Sequence, residues 1–293
     1  MPHLEHPYEE LTGGRFLRGN LHTHTTRSDG NADMQPVVDA YAQRGYDFLM
    51  ISDHDLPTSP QDYATIDAGG MTLICGSEIT QNGPHLLHVN AAERIEPLAL
   101  RQQVIHDVKA SGGFVVFNHI NWQETFNHCP IESLRQWIDY TGIEIFNGIA
   151  THEQGSAYAT NKWDMLLAAG RKIWGFANDD MHNLQRDFAL GWNMVYCDTT
   201  GTDAIVAAMA AGRFYASTGV TIESIEVSEM RIRIETADAQ RIVALRDTGR
   251  RLAIADDRVI EIDVPVDATY VRFECWGRGE SFAWTQPFFV VRE

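Results

Sequence analysis

The sequence predicts an α/β fold of parallel strands and helices, followed by a small all-β segment. Short apolar runs alternate with helix-like stretches through the first two thirds of the chain, and the pattern changes to period two near Gly219. Alternating strands and helices are typical of parallel βα units, which form either a barrel or an open sheet. A chain of 293 residues, 44% of them hydrophobic, can bury one large core or one core with an appendage.

Runs of consecutive apolar residues mark the predicted parallel strands. Such runs are typical of strands that are buried on both faces. They cover 48–51, 72–75, 114–117, 143–146 and 173–176, with a weaker first strand at 16–21 and a last one at 194–196.

Helix-like stretches lie between these runs. The first has an apolar stripe at helical spacing, formed by Met34, Val37, Val38 and Tyr41. Asp33 is a candidate cap for this helix and Gly45 a candidate end. Two further stripes consist of Leu100, Val104 and Val108, and of Ile131, Leu134 and Ile138.

From residue 220 onward the chain alternates between two sets of side chains. Val271, Phe273 and Cys275 fall on one face of a predicted strand, and Tyr270 and Arg272 fall on the other. We therefore predict two domains, an α/β domain at 1–219 and a small β-rich domain at 220–293.

Composition and charge restrict the function classes. The net charge of −17 disfavours nucleic acid and anionic membranes as partners, although it permits a phosphate-bearing substrate. No apolar run approaches the roughly 20 residues of a membrane helix, and no secretory signal is evident, so we expect a cytoplasmic protein. The four cysteines are scattered and are expected to be reduced. The sequence does not indicate an oligomeric state.

Ionisable side chains follow the ends of five predicted strands. His22 and His24 are two apart on one strand and therefore point to the same face. The other candidates are Asp29, Asp53, His54, Asp55, Glu78, His119, Asp180 and His182. Imidazole mixed with carboxylate oxygen suits Zn, Mn or Fe. We therefore predict one metal site at one rim of the fold, which indicates metal-assisted hydrolysis.

Taken together, these segments resemble the PHP superfamily, named for polymerase and histidinol phosphatase, over roughly residues 15–220. The motifs that carry the resemblance are N-L-H-T-H-T…S-D-G, I-S-D-H, G-x-E-I-T, F-N-H and D-D-x-H, in this order. The resemblance implies a distorted (β/α)7 barrel and a trinuclear site for two or three divalent ions.

The resemblance also implies a ligand set. The first metal would be held by His22, His24, Glu78 and Asp180, the second by Glu78, His85 and His119, and the third by Asp29, His54 and His182. His88 is the alternative to His85; the two are three apart and point to opposite faces of a strand, so they cannot play the same role. Some relatives have histidine where Asp29 stands, and the aspartate version resembles members that act on nucleotides, cyclic phosphates or short nucleic acids.

The expected activity is hydrolysis of a phosphate mono- or diester of a small organic or nucleotide-like substrate by a metal-bridging hydroxide. Asp180, His54 and His182 are the candidate catalytic residues. Candidate substrate-binding residues are Arg27, Arg186, Trp122 and His152. The alternatives are a 5′–3′ exonuclease or oligonucleotide hydrolase, an enzyme that cleaves a non-phosphate bond, and a non-catalytic module stabilised by metal. The other histidines, including His128, are expected to be surface or structural residues.

Overall fold

A computed structural model describes residues 2–9 and 11–292. The strands up to residue 217 are β1 His3–Glu5, β2 Arg15–Asn20, β3 Phe48–Met50, β4 Thr72–Ile74, β5 Gly76–Ile79, β6 Leu86–Val89, β7 Phe114–Phe117, β8 Gly142–Asn147, β9 Trp174–Asn178, β10 Trp192–Cys197 and β11 Phe214–Ser217. The helices are α1 Met34–Gln43, α2 Pro60–Tyr63, α3 Arg101–Ala110, α4 Ile131–Gln136, α5 Thr160–Ala168 and α6 Thr202–Ala210, with a 3-10 turn at Ile149–Thr151. The remaining strands are β12 Ile222–Ser228, β13 Arg231–Thr236, β14 Arg241–Arg246, β15 Arg250–Ala255, β16 Val259–Asp263, β17 Tyr270–Trp276, β18 Phe282–Thr285 and β19 Phe288–Val291.

The α/β class is confirmed, and the apolar runs at 48–51, 72–75, 114–117, 143–146 and 173–176 each contain or overlap a strand. Helix α1 begins directly after Asp33, as predicted, but the Asp33 side chain makes no capping hydrogen bond. The helix buries Val37, Val38 and Tyr41 against β3 and its neighbours. Gly45, just beyond its end, has a φ of +73°, a left-handed conformation that glycine adopts without a Cβ penalty.

The strands form two main sheets rather than the closed barrel that the resemblance implies. Among the described residues, β2, β3 and β4 run parallel in a large mixed sheet, and a second sheet has the order β5-β6-β7-β8-β9. Only Cys75 separates β4 from β5, so this segment passes from one sheet to the other. At the carboxyl ends of β2 and β3, single bridges join Thr23 to Met181 and His54 to Glu78.

Strand β6 is the main departure from the expected parallel pattern. It pairs antiparallel with both β5 and β7. The connection between β5 and β6 consists of residues 80–85 alone, whereas a parallel crossover needs a dozen or more residues. Glu78, which we expected to follow the third strand, therefore lies inside β5, and its partner strand β6 begins directly after His85.

All elements from β12 onward are strands. Strand β11 pairs with β18, and β18 with β17, so the large sheet continues from the amino-terminal part into this region. A separate sheet has the order β12-β13-β16. The domain boundary at 219/220 stays a prediction.

Both faces of β17 are buried. Phe273 lies on the face that packs against Ile242 and Phe288, whereas Arg272 lies on the opposite face and contacts α5. The Arg272 guanidinium donates to Asp164 from Nε at 2.7 Å and from Nη2 at 2.8 Å, and the Tyr270 hydroxyl donates to the same carboxylate at 2.7 Å. Removal of one partner from such a buried pair typically costs about 3–5 kcal/mol, because the remaining charge is left buried and unpaired.

Within the described ranges, no helix has the length and apolar character needed to cross a bilayer. All four cysteines are free thiols there, and Cys129, Cys197 and Cys275 are buried.

Candidate metal centre

The predicted ligands converge on one carboxylate, that of Glu78. This side chain is fully buried on β5. Five imidazole nitrogens surround its two oxygens: His54 Nδ1 at 2.7 Å, His85 Nδ1 at 3.2 Å, His119 Nε2 at 3.3 Å, His22 Nε2 at 3.4 Å and His24 Nε2 at 3.6 Å. These histidines come from four separate segments of the chain, so the fold brings together residues that are far apart in sequence.

A second buried carboxylate, Asp180, faces the same histidines. Its Oδ1 lies 3.0 Å from His22 Nε2 and 3.2 Å from His24 Nε2, and its Oδ2 lies 3.8 Å from His119 Nε2. Asp180 has a φ of +55° and His119 a φ of +27°. Non-glycine residues in this region cost of order 1–3 kcal/mol each, and such strain clusters at functional sites.

A third group lies at the outer edge of the cluster. Asp29 Oδ2 is 3.2 Å from His54 Nε2, and Asp29 Oδ1 is 3.3 Å from His182 Nε2. Together with His24, these residues place one ligand atom each within 4.8 Å of one another. The glycine of the S-D-G motif permits this approach, because a Cβ on Gly30 would lie 2.5 Å from the carbonyl oxygen of His24.

Two neighbouring carboxylates shape the loops rather than face the cluster. Asp53 accepts hydrogen bonds from the Thr25 backbone at 2.8 Å and from the Ser28 hydroxyl at 2.7 Å. Asp179 accepts from the backbone of residues 189–191 at 2.7–2.9 Å and from the Tyr41 hydroxyl. Both side chains therefore hold the segments on which Asp29 and Asp180 lie.

The donor atoms fit bound cations. Several buried atoms of the cluster lie close to one another, as His54 Nδ1 does to Glu78 Oε2 at 2.7 Å, but none of their contacts has the geometry of a hydrogen bond. These atoms are His22 Nε2, His24 Nε2, His54 Nδ1, Glu78 Oε2 and Asp180 Oδ1. Buried polar atoms are nearly always paired, so a concentration of unpaired ones in one place needs an explanation. Divalent cations between these nitrogens and oxygens would satisfy all of them.

Without metal, the carboxylates of the cluster raise the pKa values of His54, His182 and His22. Burial lowers the pKa of His54, but Asp29 and Glu78 outweigh it and raise this pKa to about 10. Burial also lowers the pKa of His182, but Asp29 and Asp180 outweigh this effect and raise it to about 9. The pKa of His22 is also raised, against the effect of burial, by Asp180, Glu144 and Glu78. Metal ions would therefore have to displace protons from these rings.

Sequence reasoning missed Glu144. This residue belongs to β8, in a run that was interpreted as an apolar strand, and it is almost fully buried. Its Oε1 accepts from His22 Nδ1 at 2.8 Å, and its Oε2 accepts from the backbone N–H of His119 at 2.8 Å. The available signal was an acidic residue in the middle of a predicted buried strand, since such a residue needs partners.

The side chains of His85 and His88 point to opposite sides of the segment that contains β6, as their spacing in the sequence predicts. His85 contacts Glu78, whereas His88 is buried on the other face of β6 with its Nε2 3.2 Å from the Ser111 hydroxyl. The placement therefore favours His85 as the ligand. His128, expected to be a surface or structural residue, lies beside the site: its Nε2 accepts from the His85 backbone at 3.0 Å, and its ring centroid is 4.8 Å from that of His119.

The buried His88 gives a pH prediction. Burial lowers its pKa to about 4, below the ordinary 6.5, so the unfolded chain binds this proton more readily than the folded one. Protonation of His88 in the unfolded chain therefore lowers the free energy of unfolding. This effect is absent above about pH 6.5 and complete below about pH 4. Between pH 7 and pH 5 the unfolding free energy of the wild type should fall. In His88→Gln we expect this fall to be smaller by about 2 kcal/mol. Urea denaturation at the two pH values measures this.

His106 provides the control for that experiment, because it is an exposed histidine on the neighbouring helix α3. His106→Gln should leave the pH dependence as it is in the wild type. An equal loss of stability in acid for wild type and His88→Gln would contradict the prediction.

A cavity of 330 Å³ opens onto the ligands. Trp122 and Arg186, two of the predicted substrate-binding residues, line it, and so does Glu153, which was not predicted. The other two predicted residues do not line it. Arg27 donates instead to Thr58 Oγ1 and the Pro57 carbonyl and lies 3.6 Å from Asp62, and His152 is exposed outside the cavity wall.

Arg186 is held in place beside the cavity by its sequence neighbour. Its Nε donates to Asp187 Oδ1 at 2.6 Å, and Asp187 is fully buried. The Asp187 carboxylate is itself held by the Asn183 backbone N–H at 3.1 Å. Arg186 Nη2 also donates to Asp187 Oδ2 at 3.3 Å, so Asp187 holds the guanidinium at two nitrogens and leaves Nη1 without a bond to Asp187.

Comparison with solved structures identifies a related fold. The chain is similar to a two-domain protein from Bacteroides vulgatus that contains a predicted PHP-like metal-dependent phosphoesterase, with 19% identity, a TM-score of 0.55, and coverage of 96% of this chain and 88% of that one. Weaker likenesses are an amidohydrolase from Chromobacterium violaceum with bound sulfate (14% identity, TM-score 0.42, 56% of this chain and 87% of that one) and a lesion-specific endonuclease from Pyrococcus furiosus (12%, 0.48, 67% and 56%).

Comparison with protein-family models finds no match, and the search of curated proteins finds none either. The structural likeness to the Bacteroides vulgatus protein extends over nearly the whole chain and includes the strands after residue 220. At 19% identity this likeness concerns the fold. The fold is therefore similar to that of a solved protein that contains a predicted PHP-like phosphoesterase, in agreement with the resemblance that the motifs indicate.

Proposed function

We propose that the protein is a metal-dependent hydrolase of phosphoric esters, acting on phosphate mono- or diesters of a small organic or nucleotide-like substrate. One observation carries the proposal: unpaired buried nitrogen and oxygen atoms surround Glu78 and Asp180 at the base of the cavity. Such a donor set suits two or three ions of Zn, Mn or Fe. The two sheets, bridged at Thr23–Met181 and His54–Glu78, would correspond to the family's distorted (β/α)7 barrel.

The three groups of ligands divide among three positions. His22, His24, Glu78 and Asp180 would hold the first ion, Glu78, His85 and His119 the second, and Asp29, His54 and His182 the third. When bound, such ions supply hydroxide at neutral pH and positive charge for the phosphoryl oxygens. Glu78 contacts ligands of all three groups, which suits a bridging role.

Other residues of the cavity would bind the ester and its leaving group. The exposed part of the Arg186 guanidinium can donate to a phosphate oxygen, since Asp187 engages its Nε side. Trp122 offers an aromatic surface on the same cavity wall. Where the third position holds no ion, His54 and His182 are protonated at neutral pH because Asp29 raises their pKa values, and their Nε2–H groups can donate a proton to a leaving alkoxide.

A small substrate is favoured over a nucleic acid. The net charge is −17, and Arg186 is the one arginine among the described residues that line the cavity. A non-specific nucleic-acid site would need a basic groove with aromatic side chains along it. The same features fit an activity on a small phosphorylated compound.

The test uses Asp180→Ala. The wild type, loaded with Mn²⁺ or Zn²⁺, is expected to hydrolyse p-nitrophenyl phosphate or bis-p-nitrophenyl phosphate, and a chelator should abolish turnover. The variant should lose bound metal and turnover together, with kcat reduced roughly 10³-fold, because charge stabilisation at the phosphoryl group is lost. Elemental analysis and initial rates give both quantities.

Full activity with undiminished metal content in Asp180→Ala would contradict the ligand assignment. A wild-type protein that binds metal yet turns over neither mono- nor diesters would instead favour a non-phosphate bond or a non-catalytic module.

A further inference from the structure

Glu144 contacts ligands of two different metal positions. Its carboxylate contacts Nδ1 of His22, the ring nitrogen opposite the one that faces Glu78 and Asp180, and the backbone N–H of His119. Only 1% of the residue is exposed. We propose that Glu144 is a positioning residue that fixes His22 and His119 together and thereby couples metal binding at the first and second positions. The inference rests on the proposed function only in requiring that these positions bind metal.

The first step concerns the ring of His22. Its Nδ1–H donates to Glu144 Oε1 at 2.8 Å. This bond places the proton on Nδ1 and leaves the lone pair of a neutral ring on Nε2, which faces Glu78 and Asp180 at 3.4 and 3.0 Å. A carboxylate on the distal nitrogen of a metal-binding histidine fixes the tautomer and raises the basicity of the ligand.

The second step concerns the backbone of His119. Its N–H donates to Glu144 Oε2 at 2.8 Å, and the residue has a φ of +27°, which non-glycine residues rarely adopt. The bond therefore holds the strained turn after β7 in the conformation that directs His119 Nε2 towards Glu78.

The third step concerns how Glu144 is itself held. Asn178 Nδ2 donates to Oε1 at 3.0 Å, and Asn147 Nδ2 donates to Oε2 at 2.8 Å. The Asn147 amide also donates to Asp180 Oδ2 at 3.1 Å, so the network reaches a third ligand. Four donors therefore surround the two Glu144 oxygens. A carboxylate can accept all four hydrogen bonds, because both of its oxygens accept and neither donates.

Glutamine at this position tests the proposal, because it keeps the shape but has only one accepting oxygen. If its amide faces His22, the ring must place its lone pair on Nδ1 and lose it from Nε2; if the amide faces His119, the backbone N–H meets another donor. Because the two positions share Glu78, which contacts both His22 and His119, disturbance of either histidine is expected to affect both positions. We expect Glu144→Gln to weaken Zn²⁺ binding at both positions by about 10–100-fold.

The measurement is chelator competition with Zn²⁺ on metal-free protein, with bound zinc counted by elemental analysis. At a chelator concentration that leaves the wild type loaded, Glu144→Gln should lose the zinc of both positions. Unchanged zinc affinity would overturn the proposal, and so would loss from one position alone. A wild type that binds none of Zn²⁺, Mn²⁺ and Fe²⁺ would refute the proposed function instead.

Asp164→Asn is the matched control, since Asp164 is another buried carboxylate with several donors but lies against β17, away from the ligands. It should lower the unfolding free energy and leave zinc affinity unchanged. If it weakens zinc binding as Glu144→Gln does, general destabilisation is the cause and the proposal fails.

A measurement on the wild type does not depend on the folding of any variant. In zinc-loaded protein with ¹⁵N-labelled histidine, the shifts of His22 should show a protonated Nδ1 and a metal-bound Nε2. Coordination through Nδ1 would overturn the proposal.

Discussion

Replacing Glu78 with glutamine is expected to release metal from more than one position and to lower kcat on p-nitrophenyl esters by roughly 10³-fold or more. The substitution keeps the size of the side chain and removes its charge. Glu78 is fully buried, and its two oxygens lie within 3.6 Å of five imidazole nitrogens. Its loss therefore affects every candidate position, whereas loss of a single histidine affects one.

Elemental analysis of Glu78→Gln after loading with Zn²⁺, together with initial rates, checks this expectation. Glu96→Gln is the control, because Glu96 is an exposed glutamate whose side chain contacts Arg94 at the surface. It should retain the metal content and turnover of the wild type. Wild-type metal content in Glu78→Gln would show that this carboxylate does not hold the ions.

Buried parallel strands could be predicted from the sequence because their residues are apolar on both faces. The run at 48–51 contains β3 and the run at 114–117 coincides with β7. Strands β5 and β6 were not predicted as an antiparallel pair, because Glu78 and His88 interrupt their apolar pattern. The residues that obscured these strands are buried polar groups, and their burial depends on partners from distant segments.

The ligands could be predicted for a related reason. Histidine and carboxylate at successive strand ends depend only on residue type and strand position, and the fold brings His22, His24 and Asp180 into contact as expected. Glu144 and His128 lie beside the ligands only because of tertiary packing, which no local sequence pattern indicates. Arg27 failed as a pocket residue because Thr58, Pro57 and Asp62 offer it nearer partners.

Metal binding at the third position is expected to weaken by about 100-fold for each unit that the pH falls below about 8.5. In the metal-free protein, the pKa of His54 is raised to about 10 and that of His182 to about 9, so both rings are protonated at neutral pH. A bound ion must displace both protons. Each displaced proton makes the apparent affinity change tenfold per pH unit.

Zinc titrations between pH 6.5 and 8.5 measure this slope, and calorimetry in buffers of different ionisation enthalpy counts the protons released. Asp29→Asn is the informative variant, since the Asp29 carboxylate raises the pKa of both rings. It should reduce proton release as well as affinity. A pH-independent affinity in the wild type would contradict the assignment of His54 and His182 as ligands.

The same two histidines give the metal-free protein the opposite pH dependence. Because their folded pKa values exceed the unfolded value of about 6.5, their pairing with Asp29 stabilises the fold fully below that pH and is lost as the pH rises through 9 and 10. Chelator-treated protein should therefore unfold at lower urea concentration at pH 9.5 than at pH 6.5. Zinc-loaded protein should show the reverse, because ions replace the protons and bind more tightly as the pH rises. Parallel trends with and without zinc would mean that the ions do not occupy this site.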